Sequence, residues 1–207
     1  MFGVPSVEEV IYKLLLILIA LPLHEYAHAL AAYRLGDNTA KYEGRLTLNP
    51  IKHLDPLGTI LIFFGPIGWA KPVPVNPFHF ENRKRGMMLV SLAGPGANFL
   101  LAAVGAVLLG VFYQSPTLAY IFQNFMILNV WLAVFNLLPL PPLDGSKILA
   151  GVLPGRQAWL YELEKYGFAI LFLLIFFGFL TPILVFFAGP MIELFAMLAS
   201  FFARLPL

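Results

Sequence analysis

His24, Glu25 and His28 stand in the order H-E-Y-A-H, which fits the pattern H-E-x-x-H. On a helix, positions i and i+4 share a face, so both imidazoles can reach one metal ion. Glu25 falls at the edge of that face. There it can take a proton from a metal-bound water as the water attacks a carbonyl, without being a ligand itself. The competing reading is a chance match. Against it stands the setting: three ionisable groups lie inside an apolar run, where each is costly unless it is paired or holds a metal.

An open catalytic zinc site needs a third protein ligand and leaves the fourth position for water. Asp144, in P-P-L-D-G, is the best candidate, because it follows a proline-broken helix end. Its bland alternative is a helix cap for the segment starting near Gly145. His53, Asp55 and His79 lie in loops and are read as ordinary loop residues, outside the metal set. Asn98 and Asn136 are amides beside apolar helices, positioned to bond across helices. Asn136 also precedes the proline break, where it can face the site and stabilise an oxyanion.

The elements that must carry these residues are membrane helices. Of 207 residues, 60% are hydrophobic and only 12% charged, and mean hydropathy is +0.83. A soluble domain carries about twice that charged fraction. The fold class expected is an all-α polytopic membrane protein with about five to six apolar helical segments. It forms a single domain over 1–207, with a catalytic core at about 10–150 and C-terminal helices at about 166–205. With no cysteines, disulfides are impossible and the ligands must be histidine, carboxylate or backbone. The net charge of +2 is scattered, without the stripe that nucleic-acid binding needs. Glu8 and Glu9 precede the first apolar run, which argues for a retained helix over a cleaved signal.

Full spans are expected at Val10–Leu35, Met87–Phe112, Leu118–Leu138 and Gly167–Phe187. The polar stretch Asn38–Pro50 is partly alternating and reads as a short strand. Thr59–Ile67 is too short to cross, since a span needs ~20 residues, and is expected to be re-entrant or interfacial. Lys147–Tyr166 reads as a polar connection. Pro190–Leu205 is left open between a short span and an interfacial helix. Arg34, Lys41, Arg45, Lys52, Lys71, Arg83, Lys84 and Arg85 lie between the first two spans, and Lys147, Arg156 and Lys165 return to that side. By the positive-inside rule that side is cytoplasmic, and both HEYAH and Asp144 fall at that end of their helices.

H-E-Y-A-H in an apolar helix, A-G-P-G-A-N opening another and N-L-L-P-L-P-P-L-D-G ending a third together resemble the site-2 protease family of intramembrane metalloproteases (peptidase family M50). N-P-I-K-H-L-D-P-L-G and G-W-A-K-P-V-P-V-N-P are similar to its compact branch without PDZ or CBS domains. The resemblance covers roughly Leu21 to Ala150. It implies one Zn2+ per chain held by His24, His28 and Asp144, with Glu25 as catalytic acid/base. It also implies that Asn136, eight positions before Asp144, helps stabilise the transition state, and that the core has three helices. The substrate expected is a membrane protein or peptide that must unwind before attack. The extended stretches around Arg45–Leu48 and Pro72–Val75 are candidates to hold it by backbone pairing. The rival readings are a membrane zinc carrier and a non-proteolytic scaffold. Substrate identity and oligomeric state are not legible.

Overall fold

The computed structural model describes residues 7–64, 68–155 and 158–205. The chain divides into two compact units, residues 1–86 and 87–207.

The first unit opens with helix α1 (Val7–Leu15), a π-helical turn (Leu16–Ala20) and α2 (Leu21–Arg34). The π turn has a local cause. Pro22 has no N–H to give the preceding turn and its ring crowds that turn's carbonyl, so the ladder widens just ahead of it. Helix continues through the defect, and Lys13–Arg34 is long and apolar enough to cross a membrane.

α2 stops at Leu35-Gly36-Asp37. Gly36 has φ +99°, a left-handed conformation that glycine adopts without steric cost. Its N–H donates to the Tyr33 carbonyl at 3.2 Å, and the Asp37 N–H donates to the Ala32 carbonyl at 2.9 Å. This double closure is a Schellman motif.

Asp37 then accepts from the Thr39 N–H at 3.0 Å and from the Thr39 hydroxyl. That bond turns the chain into the short α3 (Thr39–Tyr42). The strand expected over Asn38–Pro50 is absent: its first residues are helical, with the Asp37 side chain bonding locally to Thr39. Among the described residues there is no strand, only one antiparallel bridge between Leu54 and Ala70. A 3₁₀ turn at Pro50–Lys52 follows, capped by the Asn49 side chain. α4 (Pro56–Phe64) begins where the Asp55 carboxylate accepts from the Gly58 N–H at 2.8 Å. The predicted end of that apolar segment at Ile67 lies outside the described residues. From Lys71 the chain runs without regular secondary structure to Asn76, which is extended and whose side chain caps a 3₁₀ turn at Pro77–His79.

The second unit holds α5 (Arg83–Val111) from residue 87 onward, α6 (Pro116–Leu137), α7 (Asp144–Val152), α8 (Ala158–Phe176) and α9 (Leu180–Ala203). Ala102 and Ala106 of α5 pack with Met126, Val130 and Val134 of α6 and with Ala188 and Ala199 of α9. Small residues at such seams let membrane helices approach closely. Asn98 donates to the Asn129 side chain at 3.0 Å, and Asn129 donates to the Phe125 carbonyl at 2.9 Å. Asn98 thus bonds across helices as expected. Asn136 does not: it donates to the Leu132 carbonyl of its own helix at 2.9 Å.

Several expected boundaries shift. Lys147–Tyr166 is largely helical, holding most of α7 and the start of α8, although Arg156 lies outside the described residues. The expected span Gly167–Phe187 is cut by Gly178, whose φ of +75° ends α8. α9 instead joins residues 180–189 to the segment that was left open, carrying Pro190 within it. Among the described residues, four helices are long and apolar enough to cross a membrane: Lys13–Arg34, α5, α6 and α9. Beside them stand two further apolar helices, α4 and α8. α4 has only nine residues, and α8 carries Glu162, Glu164 and Lys165 in its first half.

Candidate metal centre

α2 presents His24 and His28 one turn apart. Their Nε2 atoms are 3.0 Å from each other and their rings meet edge to face, 88° between planes. Both are buried, at 4% and 7% exposure. Two nitrogens on a tetrahedral zinc, each ~2.0–2.1 Å from it, stand about 3.3 Å apart. The observed separation differs by a few tenths of an ångström, which side-chain torsions absorb without moving the helix. The imidazole pair therefore fits the metal.

Glu25 is also buried, and its Oε2 accepts from the Val73 N–H at 3.0 Å. One residue of helix turns it about 100° from His24, so it leaves α2 in a different direction from the two imidazoles.

In the second unit, the backbone after α6 is broken by Pro139, Pro141 and Pro142, none of which can continue a helical ladder. It is held instead by short bonds from the Leu140 N–H to the Leu138 carbonyl (2.8 Å) and from the Leu143 N–H to the Leu140 carbonyl (2.9 Å). Leu143 occupies the cap position of α7, and Asp144 is the first helical residue. The cap alternative for Asp144 therefore fails on position. Its side chain is 8% exposed. Gly145 explains how the chain gets there: a Cβ at this position would lie 2.2 Å from the carbonyl oxygens of both Leu137 and Leu138. Only glycine lets α7 start this close to the end of α6.

His24 and His28 in the first unit and Asp144 in the second are each buried, and each offers an atom that can ligate a metal ion. The residues set aside in the sequence have other work. Asp55 caps α4. His53 is fully buried, with Nε2 on the Thr47 carbonyl at 2.7 Å and its own carbonyl accepting from the Lys71 N–H at 2.8 Å. His79 Nδ1 donates to Asp37 at 2.8 Å, while Nε2 accepts from the Asn76 side chain at 3.2 Å. Asn136 is half-buried.

Sequence reading missed Asp37, which is fully buried and also takes the Asn76 N–H at 2.7 Å. Burial pushes its carboxyl up, but the bonds from Thr39, Asn76 and His79 outweigh burial and hold it below the usual carboxylate value. The signal available was its place directly after a helix-ending glycine. Val73 was missed as a partner for Glu25, because a backbone amide leaves no mark in residue type.

Peptidase family M50 matches residues 110–178, the stretch that contains Asn136 and Asp144. The chain is 44% identical over 192 residues to "Putative zinc metalloprotease YwhC" of Bacillus subtilis (strain 168), covering 88% of this chain and 86% of that protein. It is 35% identical over 176 residues to "Putative zinc metalloprotease Rip2" of Mycolicibacterium smegmatis, covering 81% of this chain and 66% of that one. Similarity extends at 22% identity to "Zinc metalloprotease MJ0392" of Methanocaldococcus jannaschii, of which this chain spans 42%. No solved structure matches significantly. Between protease, carrier and scaffold, these relatives favour the protease. The chain belongs to peptidase family M50, the site-2 protease family, and is a zinc metalloprotease.

Proposed function

We propose that the chain is an intramembrane endopeptidase that hydrolyses peptide bonds of membrane-protein substrates. His24, His28 and Asp144 hold one zinc per chain, and Glu25 is the general acid/base. The observation that carries this reading is the pair of buried imidazoles converging at 3.0 Å inside a helix of spanning length and hydropathy. Zinc, when bound, supplies a Lewis acid that polarises a carbonyl and brings the acidity of water near neutrality.

The chain's own groups do the rest. Oε1 of Glu25, the oxygen not engaged by Val73, takes the proton of the attacking water and returns it to the leaving amine. Asn136 spends one Nδ2 hydrogen on Leu132 and keeps a second to donate to the developing oxyanion. The two units act as one membrane-embedded catalytic domain. α4, nine residues and about 14 Å long, is about half the depth of a hydrocarbon core, and lies in the interface or re-enters it. The basic loop between the first two spans faces the cytoplasm, as does the active site.

The deciding experiment uses purified protein, labelled single-span substrates and a chelator control. Glu25→Gln keeps size but removes the base, so cleavage falls by ~10²–10⁴-fold while zinc content stays at one per chain. Cleavage by Glu25→Gln at the wild-type rate sinks the mechanism.

A further inference from the structure

Residues 71–77 read Lys-Pro-Val-Pro-Val-Asn-Pro. Proline has no N–H, so Pro72, Pro74 and Pro77 contribute no donors, and four amides remain. Three of them have specific acceptors in the first unit. The Lys71 N–H donates to the His53 carbonyl at 2.8 Å. The Val73 N–H donates to Glu25 Oε2 at 3.0 Å, and the Asn76 N–H donates to Asp37 Oδ2 at 2.7 Å. Two of those acceptors belong to α2 and the turn that ends it. The stretch is thus stapled to the HEYAH helix at both ends of its catalytic half.

From this geometry we infer that the Val73 amide is a positioning group for the general base. It holds one oxygen of Glu25 so that the other is presented to water and the scissile carbonyl. The inference rests on Glu25 acting as general acid/base.

The sequence around Val73 suits that role. Proline at 74 bars Val73 from the helical region, and proline at 72 does the same to Lys71, so the direction of the Val73 amide is set from both sides. The flanking prolines offer no N–H, so neither can compete for the carboxylate. A bond from an N–H to a carboxylate is charge-assisted and directional, and Glu25 at 9% exposure meets little solvent competition.

The same facts bear on the pairing role expected for Pro72–Val75. In an extended strand, one residue's N–H and C=O point to the same edge, and successive residues alternate edges. Lys71 and Val73 are spent inward, on His53 and Glu25, and Lys71 also accepts from the Arg45 guanidinium through its carbonyl. Pro72 and Pro74 accept but cannot donate. A substrate strand therefore finds no regular ladder there.

The test is Val73→Pro. Val73 lies between two prolines, so the substitution deletes one N–H in a stretch already rich in proline. Val73→Ala keeps the N–H and is its control. Val73→Pro is expected to lower kcat at least about tenfold, short of the ~10²–10⁴-fold loss of Glu25→Gln. KM should stay within about twofold, with zinc at one per chain, and Val73→Ala should remain near wild type. A merely structural tie would lower both variants through stability and zinc content, without a kcat-specific loss. Should Val73→Pro not fold, replacing Val73 by its α-hydroxy acid exchanges the N–H for an ester oxygen without adding a ring, and the same kcat loss is expected. Wild-type kcat in the variant lacking the N–H, a kcat raised above wild type, or equal losses in Val73→Pro and Val73→Ala would overturn the positioning role. An inactive Glu25→Gln beside a fully active Val73→Pro removes only this inference. A fully active Glu25→Gln removes the proposed mechanism beneath it.

Discussion

The two segments that bear the proposed ligands reach their geometry by opposite routes. His24 and His28 sit on an uninterrupted stretch of α2, where i, i+4 spacing alone brings two nitrogens to 3.0 Å. Asp144 sits where the ladder is broken by three prolines, and its place depends on how closely Gly145 nests against the carbonyls of Leu137 and Leu138. The first arrangement is local and survives whatever surrounds the helix. The second is a packing result, and a single methyl group can undo it. Irregular backbone at membrane depth is tolerated only where protein or water covers it, so the cost of the broken segment is met by burial: Leu138 and Leu143 cluster with Leu171 and Leu180.

The largest effect expected from breaking this contrast is at Asp144. Asp144→Ala removes an oxygen ligand from the proposed set, so purified protein should lose most of its zinc by elemental analysis, and cleavage should fall below detection. Full zinc retention would take Asp144 out of the site.

Gly145→Ala should act more weakly in the same direction without touching a ligand. A Cβ 2.2 Å from two carbonyl oxygens forces α7 away from the end of α6. Overpacking of this kind costs about 1–3 kcal/mol, and zinc should bind at least about tenfold more weakly in a competition titration against a chromogenic chelator. Unchanged affinity would mean that Asp144 does not depend on this contact.

The smallest effect on the metal is expected where the HEYAH helix ends. Asp37→Asn disturbs the bonds to Thr39, Asn76 and His79 yet lies far along α2 from His24, so zinc content should not change. Stability should change, and in a pH-dependent way. The Asp37 carboxyl is held below its ordinary value when folded. Its contribution is therefore fully present above the unfolded carboxylate pKa of about 3.9 and is lost as pH falls through the lower folded value. Thermal unfolding in detergent should separate wild type from Asp37→Asn at neutral pH, and the gap should close in that acid window. A constant gap down to low pH would show that the Asp37 charge is not what stabilises the turn.

Much was legible in the residues. The H-E-x-x-H spacing, the apolar runs and the proline break before Asp144 are local patterns, and periodicity, hydropathy and missing N–H groups act over one or two helical turns. The same locality explains the errors. Phe168–Phe187 is apolar throughout apart from Gly178, Thr181 and Pro182, so hydropathy could not say that the helix ends at Gly178 and that α9 takes up the remainder. The alternation over Asn38–Pro50 was weak, and its first residues turn into a short helix beside the Asp37 carboxylate that accepts from Thr39.

What the sequence by itself determined is a membrane-helical chain with a histidine pair and a carboxylate on one helix, because those depend on residue type and on spacing within a turn. Only the tertiary structure decided that Val73, 48 residues after Glu25, donates to its carboxylate, that Asn76 and His79 converge on Asp37, and that Asn98 finds Asn129. A hydrogen bond between distant residues depends on where the chain returns. That return is set by the summed packing of every element between them, which no local pattern records.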